Sequence, residues 1–386
     1  MSQTRQFRAP AVISTGLGAA KEVGAYSKQF GKKALIVTDA NLEKIGLLAE
    51  VKESLDAAGI DYSVYDKVIT EPVIDYIDDG IRSFREARAE VVVAVGGGSP
   101  IDTGKAIAAL SRNTGAISDF MGANKIAKSS APLIAIPTTA GTGSEVTPFT
   151  IITNTKTDVK MLISSPYLIP AVALVDPFMT LKMPRGITAA TGLDALTHAI
   201  EAYVSIKAQP LTDTFALQAI RLISRNLRQA YTHPNDLEAR SSMLIGALQA
   251  GLAFANSSVA LVHGMARPIG AYFHVAHGIS NAVLLPTVIE FSVPGNPRRY
   301  AEIAEVMGEQ INGLTVNEAA NQTVEAVKRL NADLQIPNLR GLGIDVSKFD
   351  AVVGKMAADA IASGSPANNP RKASPEEIVA LYSKAL

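Results

Sequence analysis

The chemistry in this chain starts from two residues four apart, Asp194 and His198, in Gly192-Leu193-Asp194-Ala195-Leu196-Thr197-His198. The stretch from Leu193 to Tyr203 consists of strong helix formers. At 3.6 residues per turn, that spacing stacks the carboxylate and the imidazole on one helix face. Two more imidazoles follow, His263 in Val262-His263-Gly264 and His277 in Val275-Ala276-His277-Gly278. A straight helix between them would hold the two roughly 20 Å apart. Pro268 and Gly270 interrupt such a helix, so the chain is expected to fold back there and bring both imidazoles to one point. One carboxylate and three imidazoles make a hard-to-borderline donor set suited to ferrous iron or zinc. The plainer reading is a surface Asp–His pair with half-exposed histidines elsewhere. Against it, the chain has five His, and three of them occupy these positions, two beside glycine.

What must position these residues is a second half of long helical periods. They run from Thr212 to Ala230, Asp236 to Ala255, Pro297 to Met307, Val316 to Leu334 and Pro375 to Leu386. The last opens with Ser374-Pro375-Glu376-Glu377, a capping box with proline at the first helical position. The first half differs. Ala34 to Thr38, Val91 to Val95 and Leu133 to Ile136 are continuous apolar runs of strand length, the mark of strands covered on both faces. Helical stretches from Leu48 to Ala58 and from Ile74 to Ala89 separate them, which predicts a parallel, doubly wound sheet. The expected organisation is an α/β domain over 1–183 and an all-α domain over 184–386, the latter holding all five His.

Gly96-Gly97-Gly98-Ser99-Pro100-Ile101-Asp102 follows the Val91 strand directly and leads into a helix. A glycine turn at a helix N-terminus lets backbone N–H groups approach a pyrophosphate, whose charge the helix dipole favours. The same turn also serves as a bare strand-to-helix junction. It is not Gly-x-Gly-x-x-Gly, so the ordinary Rossmann fingerprint is absent. After the third strand, Pro137 to Glu145 carries four small hydroxyl residues and two glycines, either a nucleotide wrap or a polar loop.

Composition narrows the function classes. Lys plus Arg equals Asp plus Glu, 36 each, which leaves no electrostatic footprint for nucleic acid or an anionic membrane. No apolar run approaches the ~20 residues of a membrane span, and Met1 to Phe7 lacks the apolar core of a signal peptide. Absence of Cys excludes disulfides, thiolate ligands and a cysteine nucleophile. A cytoplasmic protein is expected.

These segments together resemble the iron-containing (group III) alcohol dehydrogenases. The resemblance rests on Gly96 to Asp102, Pro137 to Glu145, Ile187 to Glu201, Val262 to Pro286 and Asn369-Pro370-Arg371, in the expected order along the whole chain. It implies a two-domain, dehydroquinate synthase-like fold, with NAD on the α/β domain, a divalent metal on the helical domain and catalysis between them. By this resemblance Asp194, His198, His263 and His277 are the metal ligands, for Fe2+ or Zn2+. Gly97, Gly98 and Ser99 cradle the pyrophosphate, Thr138, Thr139 and Thr142 add cofactor contacts, and Lys160 lies near the cofactor ribose. Asp39, an acid at a strand end, matches the acceptor for the ribose 2′-OH and favours NAD over NADP, although an Asp after a strand is also a common turn residue.

The implied reaction is reversible hydride transfer between a primary alcohol or diol and NAD, giving the aldehyde, in a homodimer or larger homo-oligomer. Two positions depart from the family. Arg267 stands where many members have a histidine, and arginine cannot shuttle protons near neutral pH. Either protons leave by another route, such as His274 or water, or Arg267 binds a substrate with an anionic end; a salt-bridged arginine shaping the loop is the plainer reading. Glu71-Pro72 stands where the family often shows Asn-Pro. Phe254 is a candidate pocket residue, or simply core. The rival functions are an NAD-using lyase of the dehydroquinate-synthase kind, a metal hydrolase with no dinucleotide, and a nucleotide-binding protein without catalysis.

Overall fold

In the computed structural model, which describes residues 4–386, the first half alternates strand and helix. It runs β1 (Val12–Thr15), α1 (Val23–Phe30), β2 (Lys33–Val37), α2 (Ala40–Lys44), α3 (Ala49–Ala57), β3 (Asp61–Tyr65) and α4 (Ile74–Glu86). There follow β4 (Val91–Gly96), α5 (Gly98–Leu110), β5 (Gly122–Ala123), β6 (Leu133–Pro137), β7 (Phe149–Asn154), β8 (Val159–Ser164) and β9 (Val172–Val175). Two compact units emerge: residues 8–183, and residues 184–386 together with the segment 4–7. That short segment joins the helices because Phe7 stacks on Phe215 with ring centroids 5.5 Å apart, and Gln209 donates to the Gln6 carbonyl. The opening residues 1–3 of the segment tested for a signal peptide lie outside the described residues.

Six strands of the first unit form one parallel sheet in the order β1-β9-β6-β4-β2-β3. Side chains alternate between its faces. Leu35, Val37, Val92, Ala94, Leu133 and Ala135 enter one core, while Ala34, Ile36, Val93, Val95, Ile134 and Ile136 enter the other. Both faces are therefore covered, which explains the unbroken apolar runs in the sequence. β2 and β4 are neighbours, but the chain leaves β2 toward β3 and leaves β4 the opposite way, toward β6. Such a reversal marks the crevice at the carboxyl ends of the strands, where open α/β sheets bind ligands. β7 and β8 leave this sheet and pair antiparallel, with β5 beside β8, as a separate three-stranded sheet.

The second unit is all helix: α6 (Arg185–Val204), α7 (Pro210–Thr232), α8 (Leu237–Ala255), α9 (Leu261–Phe273), α10 (His277–Ser292), α11 (Pro297–Met307), α12 (Val316–Asp333), α13 (Val346–Ala362) and α14 (Pro375–Ala385). α6 is buried on every side from Gly192 to Val204, packed against α7, α8 and α10. Gly192 permits the approach of α7, since a Cβ there would fall 2.4 Å from Leu227 Cδ1.

The fold-back between His263 and His277 happens later than the sequence predicts. α9 continues through Pro268 and past Gly270. A proline inside a helix costs about 3 kcal/mol, but here nearly the whole helix from Leu261 to Ile269 is buried, and that burial outweighs the lost bond. The chain reverses instead at His274, in the left-handed conformation at φ 56°, whose N–H closes α9 on the Gly270 carbonyl. α13 is a helix the sequence reading leaves out. None of the described helices is long and apolar enough to cross a membrane.

Candidate functional site

Asp194 and His198 lie one turn apart on the buried α6, as their spacing requires. His263 enters from the first turn of α9 and His277 from the first residue of α10. Asp194 Oδ1 lies 3.6 Å from His263 Nε2 and 3.7 Å from His277 Nε2, and the three donor atoms fall within 4.8 Å of one another. Ligands about 2.1 Å from a metal at tetrahedral angles stand about 3.4 Å apart, so these atoms fit a single cation. His198 lies against the cluster. It stacks on His263 at 4.3 Å and on Phe254 at 4.2 Å between centroids, outside the three-atom set.

Two residues of the cluster escape the sequence reading. Asn281, one turn of α10 beyond His277, donates its amide N–H to Asp194 Oδ1 at 2.6 Å, with the same nitrogen 3.2 Å from Nε2 of both His263 and His277. An amide nitrogen thus sits among a carboxylate oxygen and two ring nitrogens, the company a cation would keep. Glu201, three residues after His198, places Oε2 2.7 Å from His263 Nδ1. The available signal was an acid recurring at Asp194 and Glu201 with His198 between them, on one face of an otherwise apolar helix.

The electrostatics suit a bound positive charge. Burial would push the Asp194 carboxyl up, but His198, His277 and His263 outweigh it and hold the group well below the usual carboxylate range. Burial opposes charge on His263, yet Asp194 and Glu201 raise it to about 9.

In the sheet unit the glycine turn at the end of β4 opens α5. Its N-cap, Gly97, supplies no side-chain cap, which leaves the first-turn N–H groups available to an anion. Gly96 has φ 154°, and a Cβ there would meet Pro100 Cγ at 2.4 Å. The turn lies against the hydroxyl-rich loop after β6. A Cβ on Gly97 would stand 3.3 Å from Thr139, and one on Gly98 3.0 Å from Thr142. Thr138 donates its N–H to the Gly96 carbonyl, and Ser99 is half-buried in the first turn of α5. Asp39 follows β2, the neighbour of β4, and its Oδ1 accepts from the N–H groups of Asn41 and Leu42 as the N-cap of α2. The phosphate-turn and ribose candidates therefore end adjacent strands at the sheet's point of reversal.

Residues 10–177 match the iron-containing alcohol dehydrogenase family, and residues 188–386 match the Fe-containing alcohol dehydrogenase family, C-terminal. The 1,3-propanediol dehydrogenase of Citrobacter freundii is 42% identical over 383 residues, 98% of either chain. The chain belongs to the iron-containing alcohol dehydrogenase family. The NAD-dependent methanol dehydrogenase of Bacillus methanolicus is 40% identical over 385 residues, covering 99% of this chain and 100% of the relative. A crystal structure of 1,3-propanediol oxidoreductase superposes with a TM-score of 0.97 at 41% identity, covering both chains completely. Like other members of the family, this chain is an oxidoreductase of alcohols and aldehydes.

Set against that family, one of the two departures acquires a partner. Arg267, one turn beyond His263 on α9, is half-buried; burial lowers its hold on the proton, and the charge of Glu201 opposes that. Glu71 pairs with Lys160 at 2.5 Å, so the residue standing where the family often shows asparagine contacts the ribose candidate itself. His274 is exposed at the end of α9.

Proposed function

We propose that this enzyme transfers hydride reversibly between a small neutral primary alcohol or diol and NAD. A single divalent metal, ferrous iron by preference, is held by Asp194, His198, His263 and His277. The convergence of Asp194 Oδ1, His263 Nε2 and His277 Nε2 from three helices carries the reading. When bound, the metal supplies Lewis acidity to the substrate oxygen, and the dinucleotide takes or returns hydride. Asp194 brings negative charge, and the stacked Phe254 and His263 hold the plane of the His198 ring. In the sheet unit the first turn of α5 with Gly97, Gly98 and Ser99 receives the pyrophosphate, flanked by Thr138, Thr139 and Thr142. Asp39 repels a 2′-phosphate, and Lys160 approaches the ribose while paired with Glu71.

Relatives named for 1,3-propanediol and methanol support a neutral, short substrate. They do not favour an anionic one, and the field of Glu201, which favours charge on Arg267, gives that arginine an electrostatic role without a substrate partner. The lyase reading is likewise not favoured. We further infer a cytoplasmic homo-oligomer, from the cysteine-free composition and the family.

An NAD-linked assay decides the matter. Protein stripped with a chelator and reloaded with Fe(II) or Zn(II) is offered 1,3-propanediol, short primary alcohols and a sulfonate-ended aldehyde. The expected result is NADH formation from the neutral alcohols, lost on stripping and restored by Fe(II). Undiminished turnover by the stripped protein would overturn the metal reading, and no NADH from any alcohol would overturn the reaction.

A further inference from the structure

α9 begins without a cap of its own: Ala260 occupies the N-cap position and offers no side-chain acceptor to the first-turn N–H groups. Those groups are satisfied from another helix. Glu201 of α6, 2% exposed, accepts from the N–H of Ala260 at 2.9 Å, of Val262 at 2.5 Å and of His263 at 3.4 Å. The same carboxylate accepts from His263 Nδ1 at 2.7 Å. One side chain thus anchors the backbone of the turn that carries His263 and binds the ring of that histidine. A neutral imidazole, the form that binds a metal, keeps its lone pair on Nε2 when it donates through Nδ1, and Nε2 is the atom grouped with Asp194 and His277.

We propose that Glu201 is the positioning residue of the metal centre, fixing both the tautomer of His263 and the placement of its helix turn, so that Nε2 is presented to the cation. The proposal rests on the metal reading above. Glutamine at 201 cannot stand in for both oxygens: with its carbonyl in place of Oε2 its amide N–H meets the Val262 N–H, and with its carbonyl in place of Oε1 its amide N–H meets His263 Nδ1 and the N–H groups of Ala260 and His263. The first arrangement loosens the turn that carries His263, and the second makes the imidazole turn its lone pair to Nδ1 and carry the proton on Nε2, the wrong atom for the metal.

Full-length wild type, Glu201→Gln, Glu201→Asp, Asn368→Ala and Asp194→Ala are compared. Asn368 braces the same loop from the C-terminal segment, donating to Ser258 Oγ and the Val259 carbonyl without touching His263. Its removal therefore loosens the loop and leaves the tautomer alone. For each protein the Co(II) dissociation constant is read by chelator competition, the Co(II) absorption spectrum is recorded, and the metal-free melting temperature is measured. Glu201→Gln is expected to weaken Co(II) binding by about tenfold to a hundredfold, the range for a lost outer hydrogen bond to a ligating histidine. Its spectrum should shift, and Glu201→Asp, which keeps the charge, should recover part of the affinity. Asn368→Ala is expected to lower the melting temperature while holding its Co(II) affinity within about threefold of wild type, short of that range.

Affinity in Glu201→Gln equal to wild type would overturn the proposal. So would an Asn368→Ala variant that loses as much affinity, because the effect would then be one of loop stability. If Glu201→Gln does not fold, Glu201→Asp decides: an unaltered affinity and spectrum sinks the idea. Failure of the metal reading has a different signature, since wild type would then bind no Co(II), or Asp194→Ala would bind it as well as wild type.

Discussion

A buried acid outside the metal cluster makes the sharpest case at the scale of single residues. Glu145, 2% exposed in the loop after β6, is raised by burial to about 7, although its own backbone N–H and Lys105 pull the other way. Lys105 of α5, fully buried, is lowered by burial to about 8 and donates to Ser144 Oγ, Thr147 Oγ1 and the Phe149 carbonyl. Between pH about 4.5 and about 7 the folded chain keeps a proton on Glu145 that the unfolded chain has released. Stability from this group is therefore full below the ordinary glutamate value and falls as pH rises through that window, by up to about 3 kcal/mol. Glu145→Gln cannot lose that proton. Its stability relative to wild type should grow by that amount across the window, read from denaturant midpoints of the sheet unit. Parallel curves for the two proteins would mean that Glu145 is ionised throughout. The sequence made the candidate metal donors legible because His is scarce here and Asp194 and His198 share a helix face. It hid Glu201, Asn281 and Lys105, whose roles depend on what another element places against them; an acid, an amide or a lysine on a helix is ordinarily a solvated residue.

At the scale of elements, the first unit was legible because its strands are covered on both faces and so leave continuous apolar runs. β7 and β8 are strands of the same length, but Ile151, Val159 and Leu162 on them are exposed, and nothing in their composition says they leave the main sheet. α13 escaped because alanine, serine, aspartate and the interior Gly354 blur its period. The reversal before α10 was expected at Pro268 and Gly270, the residues with breaker chemistry, yet it falls at His274, which the sequence does not mark. The start of α10 lies closely against α6. A Cβ on Gly278 would stand 2.5 Å from the Ala190 oxygen and 2.9 Å from its carbonyl carbon, both backbone atoms that cannot swing aside. Gly278→Ala must therefore displace α10, and with it His277, the preceding residue. The expected cost is about 1–3 kcal/mol in the helical unit, with Co(II) affinity reduced by about tenfold. Gly354→Ala is the control: it sits inside α13 with open space around it, and should be neutral or stabilising by up to about 1 kcal/mol. Equal melting temperatures and equal Co(II) affinities for the two variants would show that α10 accommodates the methyl group and that the close approach does not set the position of His277.

At the scale of the whole molecule, the proposed metal donors and the cofactor candidates fall in different units. Asp194, His198, His263 and His277 all belong to the helical unit, and Asp39, Gly97, Gly98, Ser99, the three threonines and Lys160 all belong to the sheet unit. The sequence changes character near Met183, where the chain passes from the sheet unit to the helical unit, because parallel sheets need covered strands while helices can be written in long amphipathic periods. Removing one metal donor should then cost one binding property and spare the other. Asp194 is buried among three imidazoles, which hold its carboxyl well below the usual range. In Asp194→Ala the histidines keep their places but lose the carboxylate, so a divalent cation would enter a site of neutral or positive donors. Metal retention should fall by about a hundredfold or more, as expected when a direct ligand is lost, and turnover should fall with it. Nothing in that substitution alters the first turn of α5 or the loop after β6, so the NADH dissociation constant, read by fluorescence titration, should stay within about twofold of wild type (under 0.5 kcal/mol). A variant that keeps its metal removes Asp194 from the centre. One that loses NADH binding together with the metal shows that the cofactor depends on the helical unit as well, and the division of labour drawn from the chain's two halves would not hold.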